Sequence, residues 1–207
     1  MRPDQRMCAR PFGEQRVGSV PVTNRKDKQP MPTPLPHGNC YRVAPQVIAG
    51  EYPGSKGRGD AQARIARHLD AGITCFLDLT EAGELAPYAD VLAQAAAARG
   101  REALHRRMPM RDGSIPTSPA MMRAVLDALD AALAAGHTVY VHCWGGIGRT
   151  GTVVGCWLVR HGMTGDEALV TIARHWQGVE KYWRQPRSPE TDEQHAYVRA
   201  WREQSHG

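Results

Sequence analysis

The chain has 207 residues, 42% of them apolar and 23% charged, which is enough to bury one substantial core and slightly more than a compact single domain needs. Its formal charge of +5 is gathered at one end: residues 1–40 carry seven Lys and Arg against three Asp and Glu, leaving 19 against 18 in the rest. The folded part is nearly neutral, so the pI of about 9.1 says little about a nucleic-acid face there, and no specific nucleic-acid partner is expected.

Residues 1–38 are expected to form a disordered, basic, proline-rich tail. Seven of the fifteen prolines fall there (Pro3, Pro11, Pro21, Pro30, Pro32, Pro34 and Pro36), and no helical or strand period survives among them. The charged start is not followed by an apolar stretch of signal length, and the longest apolar helical run, residues 153–159, is too short to span a bilayer. A cytoplasmic protein is expected. Five cysteines, Cys8, Cys40, Cys75, Cys143 and Cys156, are odd in number and lack C-x-x-C spacing, so reduced thiols are expected in place of a disulfide framework or a zinc site.

Residues 39–207 read as one α/β domain, a central, mainly parallel sheet flanked by helices. Residues 41–43 and 46–49 are predicted strands at the sheet edge. Asp60 is the expected N-cap of a helix through Ala61, Ile65 and Leu69 that Gly72 closes, and residues 73–79 follow as a buried strand. A second helix is predicted over 85–98, with Pro87 in its first turn, then a short strand over 103–107 and a loop over 108–117. Ser118-Pro119 opens a helix whose Met122, Val125, Leu126, Leu129 and Leu133 share one face. Residues 138–141 read as a central strand, and a helix over 149–161 buries Val153, Val154, Trp157 and Leu158. Thr164 and Glu167 make a capping box for the next helix, to about His175, and Ser188-Pro189 starts the last one. Trp176, Tyr182 and Trp183 are expected to pack the closing helices, and Cys75 and Cys156 to be core residues.

Between the central strand and its helix stand His142-Cys143-Trp144-Gly145-Gly146-Ile147-Gly148-Arg149-Thr150-Gly151. Five residues separate the cysteine from the arginine and three of them are glycine, so the backbone can curl and aim N–H groups inward, and the helix beginning near Arg149 adds the positive end of its dipole. That arrangement suits a phosphate. Cys143 is the candidate nucleophile, Arg149 the planar fork for two phosphate oxygens, and the backbone of Trp144, Gly145, Gly146, Ile147 and Gly148 the cradle for the rest. Thr150 is placed to donate to the Cys143 sulfur, and His142 to anchor the loop through its ring nitrogens while adding positive field.

The string His142-Cys143-x-x-Gly146-x-x-Arg149-Thr150-Gly151 resembles the signature of the cysteine-dependent protein tyrosine phosphatase superfamily, in particular its dual-specificity and cyclin-dependent-kinase-associated branches. Residues 108–116 are similar to the mobile loop that carries the general acid in that family, which implies this role for Asp112, 31 residues before Cys143. Asp78 and Asp90 are weaker rivals, one on a strand and one on a helix. Residues 187–194 are similar to a C-terminal segment of bacterial members in which a glutamine or a neighbouring polar residue positions water, the role implied for Gln194. Residues 50–54 and 77–81 also look familiar, so the resemblance spans about residues 41–202.

The resemblance implies hydrolysis of phosphotyrosine, and of phosphoserine or phosphothreonine, in proteins through a phosphocysteine intermediate, with no metal or cofactor. Two other readings keep the loop: a phosphatase of phosphoinositides, inositol phosphates or RNA 5′ ends, and a phosphoprotein-binding module without turnover. The lack of lysine between Cys143 and Arg149 points away from multiply charged inositol phosphates and toward a phosphorylated protein partner. Oligomeric state is not readable from the sequence.

Overall fold

Alternation along three short strands decides the layering of the domain. The computed structural model describes residues 34–54 and 61–203. Its five-stranded sheet is built from β1 (Cys40–Ala44), β2 (Val47–Gly50), β3 (Cys75–Asp78), β4 (Leu104–Arg107) and β5 (Val139–His142), in the order β1-β2-β5-β3-β4. Only β1 runs antiparallel to its neighbour. The register sets Val47 beside Val139 and Cys75, Ile48 beside Tyr140 and Phe76, and Ala49 beside Val141 and Leu77. Because successive side chains point to opposite faces, each row feeds one side of the sheet. The outer rows join one core and the middle row, Ile48, Tyr140 and Phe76, joins the other.

The two cores are unequal. The middle row packs against Ile65 and Leu69 of α1 (Ala61–Asp70) and Leu92, Ala95 and Ala96 of α2 (Ala89–Ala97). The larger core lies under α3 (Pro119–Ala134), α4 (Gly148–Arg160), α5 (Gly165–Trp176) and α6 (Asp192–Ala200). At the centre of that layer α4 is buried on every side from Gly148 to Leu158, beyond the single expected face. Gly151 and Gly155 let its neighbours come close: a Cβ at Gly151 would lie 2.5 Å from Ser188 Oγ, and one at Gly155 2.7 Å from Val198 Cγ1. The segment preceding α6 is thereby seated against the first turns of α4. Among the described residues no helix is long and apolar enough to cross a membrane.

Most elements form where local chemistry predicts. Ser118 accepts a hydrogen bond from Met121 N at 3.2 Å, and Thr164 and Glu167 form the expected capping box. Cys75, Cys156 and Trp176 are buried, as expected. Five expectations are corrected. First, β2 lies inside the sheet, because its backbone pairs with β5 as well as with β1. Second, α2 starts at Ala89, not residue 85: Glu84 turns back to accept from Glu81 N (2.9 Å) and carries its carboxylate to Arg149, so this stretch is loop. Third, the last helix starts at Asp192, because Thr191 and Gln194 supply a capping box, while Ser188 Oγ donates instead to Ile147 O at 2.9 Å. Fourth, Trp183 is 72% exposed, with Arg184 stacked 4.3 Å from its ring. Fifth, the boundary set at residue 38 is late: His37 bonds Tyr140 Oη at 3.1 Å and Gly38 O accepts from Glu180 N at 2.9 Å. Residues 1–33 of the expected tail and the N-cap Asp60 lie outside the described residues.

The smaller core holds a titratable group. His68 is fully buried against Phe76, Tyr140 and His37, with ring centroids 5.8, 4.6 and 5.2 Å away. Its Nδ1–H donates to Arg64 O at 2.8 Å. Burial lowers its pKa from 6.5 to about 3. Between those two values the unfolded chain takes up a proton that the folded chain refuses, so this group's contribution to stability falls as pH drops through the window. The thermal midpoint should therefore fall from pH 6.5 to pH 4, and His68→Gln should make that fall shallower. An identical slope in the variant would contradict the assignment.

Candidate active site

The carboxyl ends of the three central strands finish abreast, with Gly50, His142 and Asp78 side by side. The next residues, Glu51, Cys143 and Leu79, leave the sheet together. From this edge the chain curls through residues 143–147 and enters α4 at Gly148. No side chain caps that helix, so the N–H groups of its first turn are free for an anion.

The curl is held from outside. Cys143 O accepts from His142 Nδ1 at 3.3 Å, Trp144 O from Tyr52 N at 3.0 Å, Gly145 O from Lys181 Nζ at 2.8 Å and Ile147 O from Ser188 Oγ at 2.9 Å. In a trans peptide the N–H points opposite to the C=O. Pinning these carbonyls outward therefore turns the N–H groups of Trp144, Gly145, Gly146 and Gly148 to the cavity side. The cavity has a volume of about 190 Å³ and is lined by Asp112, Cys143, Trp144, Gly145, Ile147, Gly148 and Glu190. Gly146 is required twice over: its φ is +72°, and a Cβ there would lie 2.3 Å from Gly50 C.

Arg149 forms the base of the site and is 1% exposed. Its Nη1 donates to Glu84 Oε2 at 2.7 Å and to Met110 O at 3.1 Å, and its Nη2 to Glu84 Oε1 at 2.6 Å. Asp112 Oδ1 lies 2.8 Å from the same Nη2. Burial alone would pull the guanidinium pKa down, but Glu84, with Cys143 and Asp112, more than offsets it and holds the group above its ordinary value. Burial pushes Glu84 upward, and its bonds from Arg149 and Glu81 N bring it below the usual carboxylate range. One donor is left over. Arg149 Nε is buried without a hydrogen-bond partner, and so is Thr150 Oγ1. The expected bond from Thr150 to the Cys143 sulfur is thus not made.

His142 anchors the loop but adds no charge to it. A carbonyl only accepts, so Nδ1 carries the proton given to Cys143 O, and Nε2 accepts from Tyr88 Oη at 2.6 Å. Burial lowers its pKa from 6.5 to about 4, against the raising effect of Asp78, so the expected positive field is corrected to a neutral ring at pH 7. Asp78, the weaker rival to Asp112, is fully buried and accepts from Thr80 N and Oγ1 (2.9 and 2.6 Å) and His105 Nε2 (3.0 Å). Its oxygens are taken by the fold. Asp90, the other rival, lies in the first turn of α2.

Gln194 is buried against the loop, where a Cβ at Gly148 would meet its Nε2 at 2.9 Å. Its Oε1 accepts from Glu190 N (3.0 Å) and Thr191 N (3.1 Å), while Nε2 donates to Ser114 O at 3.1 Å. The amide thus ties the α6 cap to the loop carrying Asp112, where Ser114 N bonds Arg111 O at 3.3 Å.

Sequence reasoning missed Glu84, Glu190 and Lys181. A signal for Glu84 existed: a buried arginine needs a carboxylate, and the segment after β3 offers Glu81 and Glu84. Glu190 lies within the 187–194 segment that the resemblance marks, and nothing local marks Lys181. Gly146→Ala should leave the chain folded but weaken inorganic phosphate binding by at least about tenfold, since the substituted residue cannot keep a positive φ against the Gly50 backbone. Isothermal titration with phosphate would check this, and wild-type affinity would show that the curl does not depend on this glycine.

Comparison with known families places this geometry in context. The family model for the polymorphic toxin system DSP-PTPase phosphatase Tc-R-P matches residues 52–163. The fold is similar to that of Tk-PTP in its active form, with 25% identity and a TM-score of 0.58 over 77% of this chain and 93% of that one. It is also similar to kinase associated phosphatase, at 19% identity and a TM-score of 0.62 over 78% of this chain and 91% of that one. A variant of P. aeruginosa TpbA in complex with phosphotyrosine gives 19% identity and a TM-score of 0.57 over 80% and 85%.

Proposed function

The chain belongs to the polymorphic toxin system DSP-PTPase family and is a cysteine-based phosphatase, and we propose that it dephosphorylates phosphotyrosine, with phosphoserine and phosphothreonine as further substrates, in proteins. The observation that carries the reading is the pair of buried donors without partners, Arg149 Nε and Thr150 Oγ1, on the two residues that follow a loop with its N–H groups turned to one cavity. An unpaired buried donor costs about 1–3 kcal/mol, and a bound phosphoryl group removes that cost at Arg149.

In the proposed reaction the Cys143 thiolate attacks phosphorus, the S–P bond forming as the P–O bond to the leaving group breaks. The equatorial oxygens accept from the loop N–H groups and from Arg149 Nε and Nη2. Asp112, which rests on Nη2 as a carboxylate, gives up that contact, takes up a proton from solvent and passes it to the departing oxygen. It then takes a proton from water as the water attacks the phosphocysteine, and the P–S bond breaks to return the thiolate. Thr150 donates to that sulfur as it leaves. Gln194 acts by bracing the Asp112 loop through Ser114 O, and its remaining amide N–H is the donor available to the water.

A protein substrate is favoured by charge. Residues 144–148 contain no cation, and the cavity's other charged liners are Asp112 and Glu190. A second phosphate near the first would face a carboxylate at Gly148, where Glu190 Oε2 lies 3.1 Å from the position of a Cβ. The family's tie to polymorphic toxin systems is extended to this chain as the setting in which the phosphatase is deployed. Free Cys40, Cys75, Cys143 and Cys156 fit a reducing cytoplasm.

Two measurements test the reading. Cys143→Ser should abolish aryl phosphate and phosphotyrosine-peptide turnover while phosphate still binds, and Asp112→Asn should lower kcat by about 10²–10⁴, most for alkyl leaving groups. Full turnover by either variant would contradict the mechanism. Glu190→Lys should shift the ratio of inositol polyphosphate to phosphotyrosine-peptide turnover upward by about tenfold, a change in kcat/KM that an unaltered ratio would refute.

A further inference from the structure

Lys181 stands in the short 3-10 helix Glu180–Trp183, beyond residues 52–163 that the family model matches. Its ammonium reaches the cradle: Nζ donates to Gly145 O at 2.8 Å and to Glu51 Oε2 at 2.8 Å. Arg64 Nη2 holds the other Glu51 oxygen at 3.1 Å. The backbone beneath Lys181 is fixed as well, with its own N bonded to Asn39 Oδ1 at 3.2 Å and Glu180 N to Gly38 O at 2.9 Å. The side chain is 18% exposed, so its head group is held in one place.

The peptide it grips is the one least able to hold itself. Gly145 and Gly146 stand on either side of that bond, and two glycines leave a peptide plane freer to rotate than any other pair of residues. A Cβ at Gly145 would meet only the Ile147 side chain, at 3.2 Å and beyond, so no backbone contact on that side resists rotation. The other outward bonds come from neutral donors, His142 Nδ1, Tyr52 N and Ser188 Oγ. Lys181 supplies a charge-assisted one, of the stronger class.

We propose that Lys181 is a positioning residue for phosphate binding: by fixing Gly145 O outward it fixes the Gly146 N–H inward, toward a phosphoryl oxygen. Glu51 and Arg64 set the ammonium in place, so a branch of the fold outside the signature sets one of the cradle's donors. The residue touches neither the phosphate nor the reacting atoms.

This inference rests on the loop being a phosphate site, and the test separates the two. Inorganic phosphate is titrated into the full-length wild type, Lys181→Ala and Lys181→Arg, with and without n-propylammonium, and phosphatase kcat and KM are measured in parallel. Removal of the ammonium should raise the phosphate Kd about tenfold or more and raise KM for an aryl phosphate. Propylammonium should restore Lys181→Ala saturably, and Lys181→Arg should keep most of the affinity. Wild-type affinity in Lys181→Ala, or a loss that neither propylammonium nor arginine repairs, overturns the proposal. Failure of the wild type itself to bind phosphate overturns the reading of the loop.

Discussion

A guanidinium buried under the curled loop is the constraint on which the rest of the site depends. Arg149 is almost wholly removed from solvent, and a buried cation is tolerable only when its charge and its protons are matched. Glu84 supplies both through a two-point contact, and Met110 O and Asp112 take the remaining Nη protons. Two separate loops, one carrying Glu84 and the other carrying Met110 and Asp112, therefore converge on one side chain. The segment expected to open α2 is bent away from helix for the same reason.

The second constraint is backbone direction. A loop rich in glycine gains freedom to curl and loses the ability to hold the curl, and the fold restores rigidity by placing donors on its outer side. These come from β5, from the chain after β2, from the 3-10 helix and from the segment before α6. Gly151 and Gly155 contribute differently, by letting the residues around Ser188 and Val198 sit directly on α4. Ser188 and Gln194 are brought to the loop by that close approach.

Much of the fold was legible in local pattern. Val139, Tyr140 and Val141 mark a central strand, Ser118-Pro119 and the Thr164 and Glu167 pair mark helix starts, and the apolar spacing of α3 names its buried face. The errors fall where a residue is pulled by something distant: Glu84 onto Arg149, Ser188 onto Ile147 O, His37 onto Tyr140, and the Gly38 carbonyl onto the 3-10 helix. A helical pattern carries no information about such a pull.

The sequence by itself determined the parts of the site that are contiguous. Cys143, the glycines, Arg149 and Thr150 lie within eight residues of one another, and their chemistry and spacing need only a strand before them and a helix after. Asp112 came from resemblance, since its loop is recognisable as a string. Tertiary structure alone decided the charge state of His142, which burial makes neutral, the partner of Arg149, the use of Gln194's amide as a brace, and the presence of Glu190 and Lys181 at the loop. Each of these depends on which segments meet across the sheet end and on how much water is excluded there, and neither distance nor solvent exclusion is written in any local run of residues.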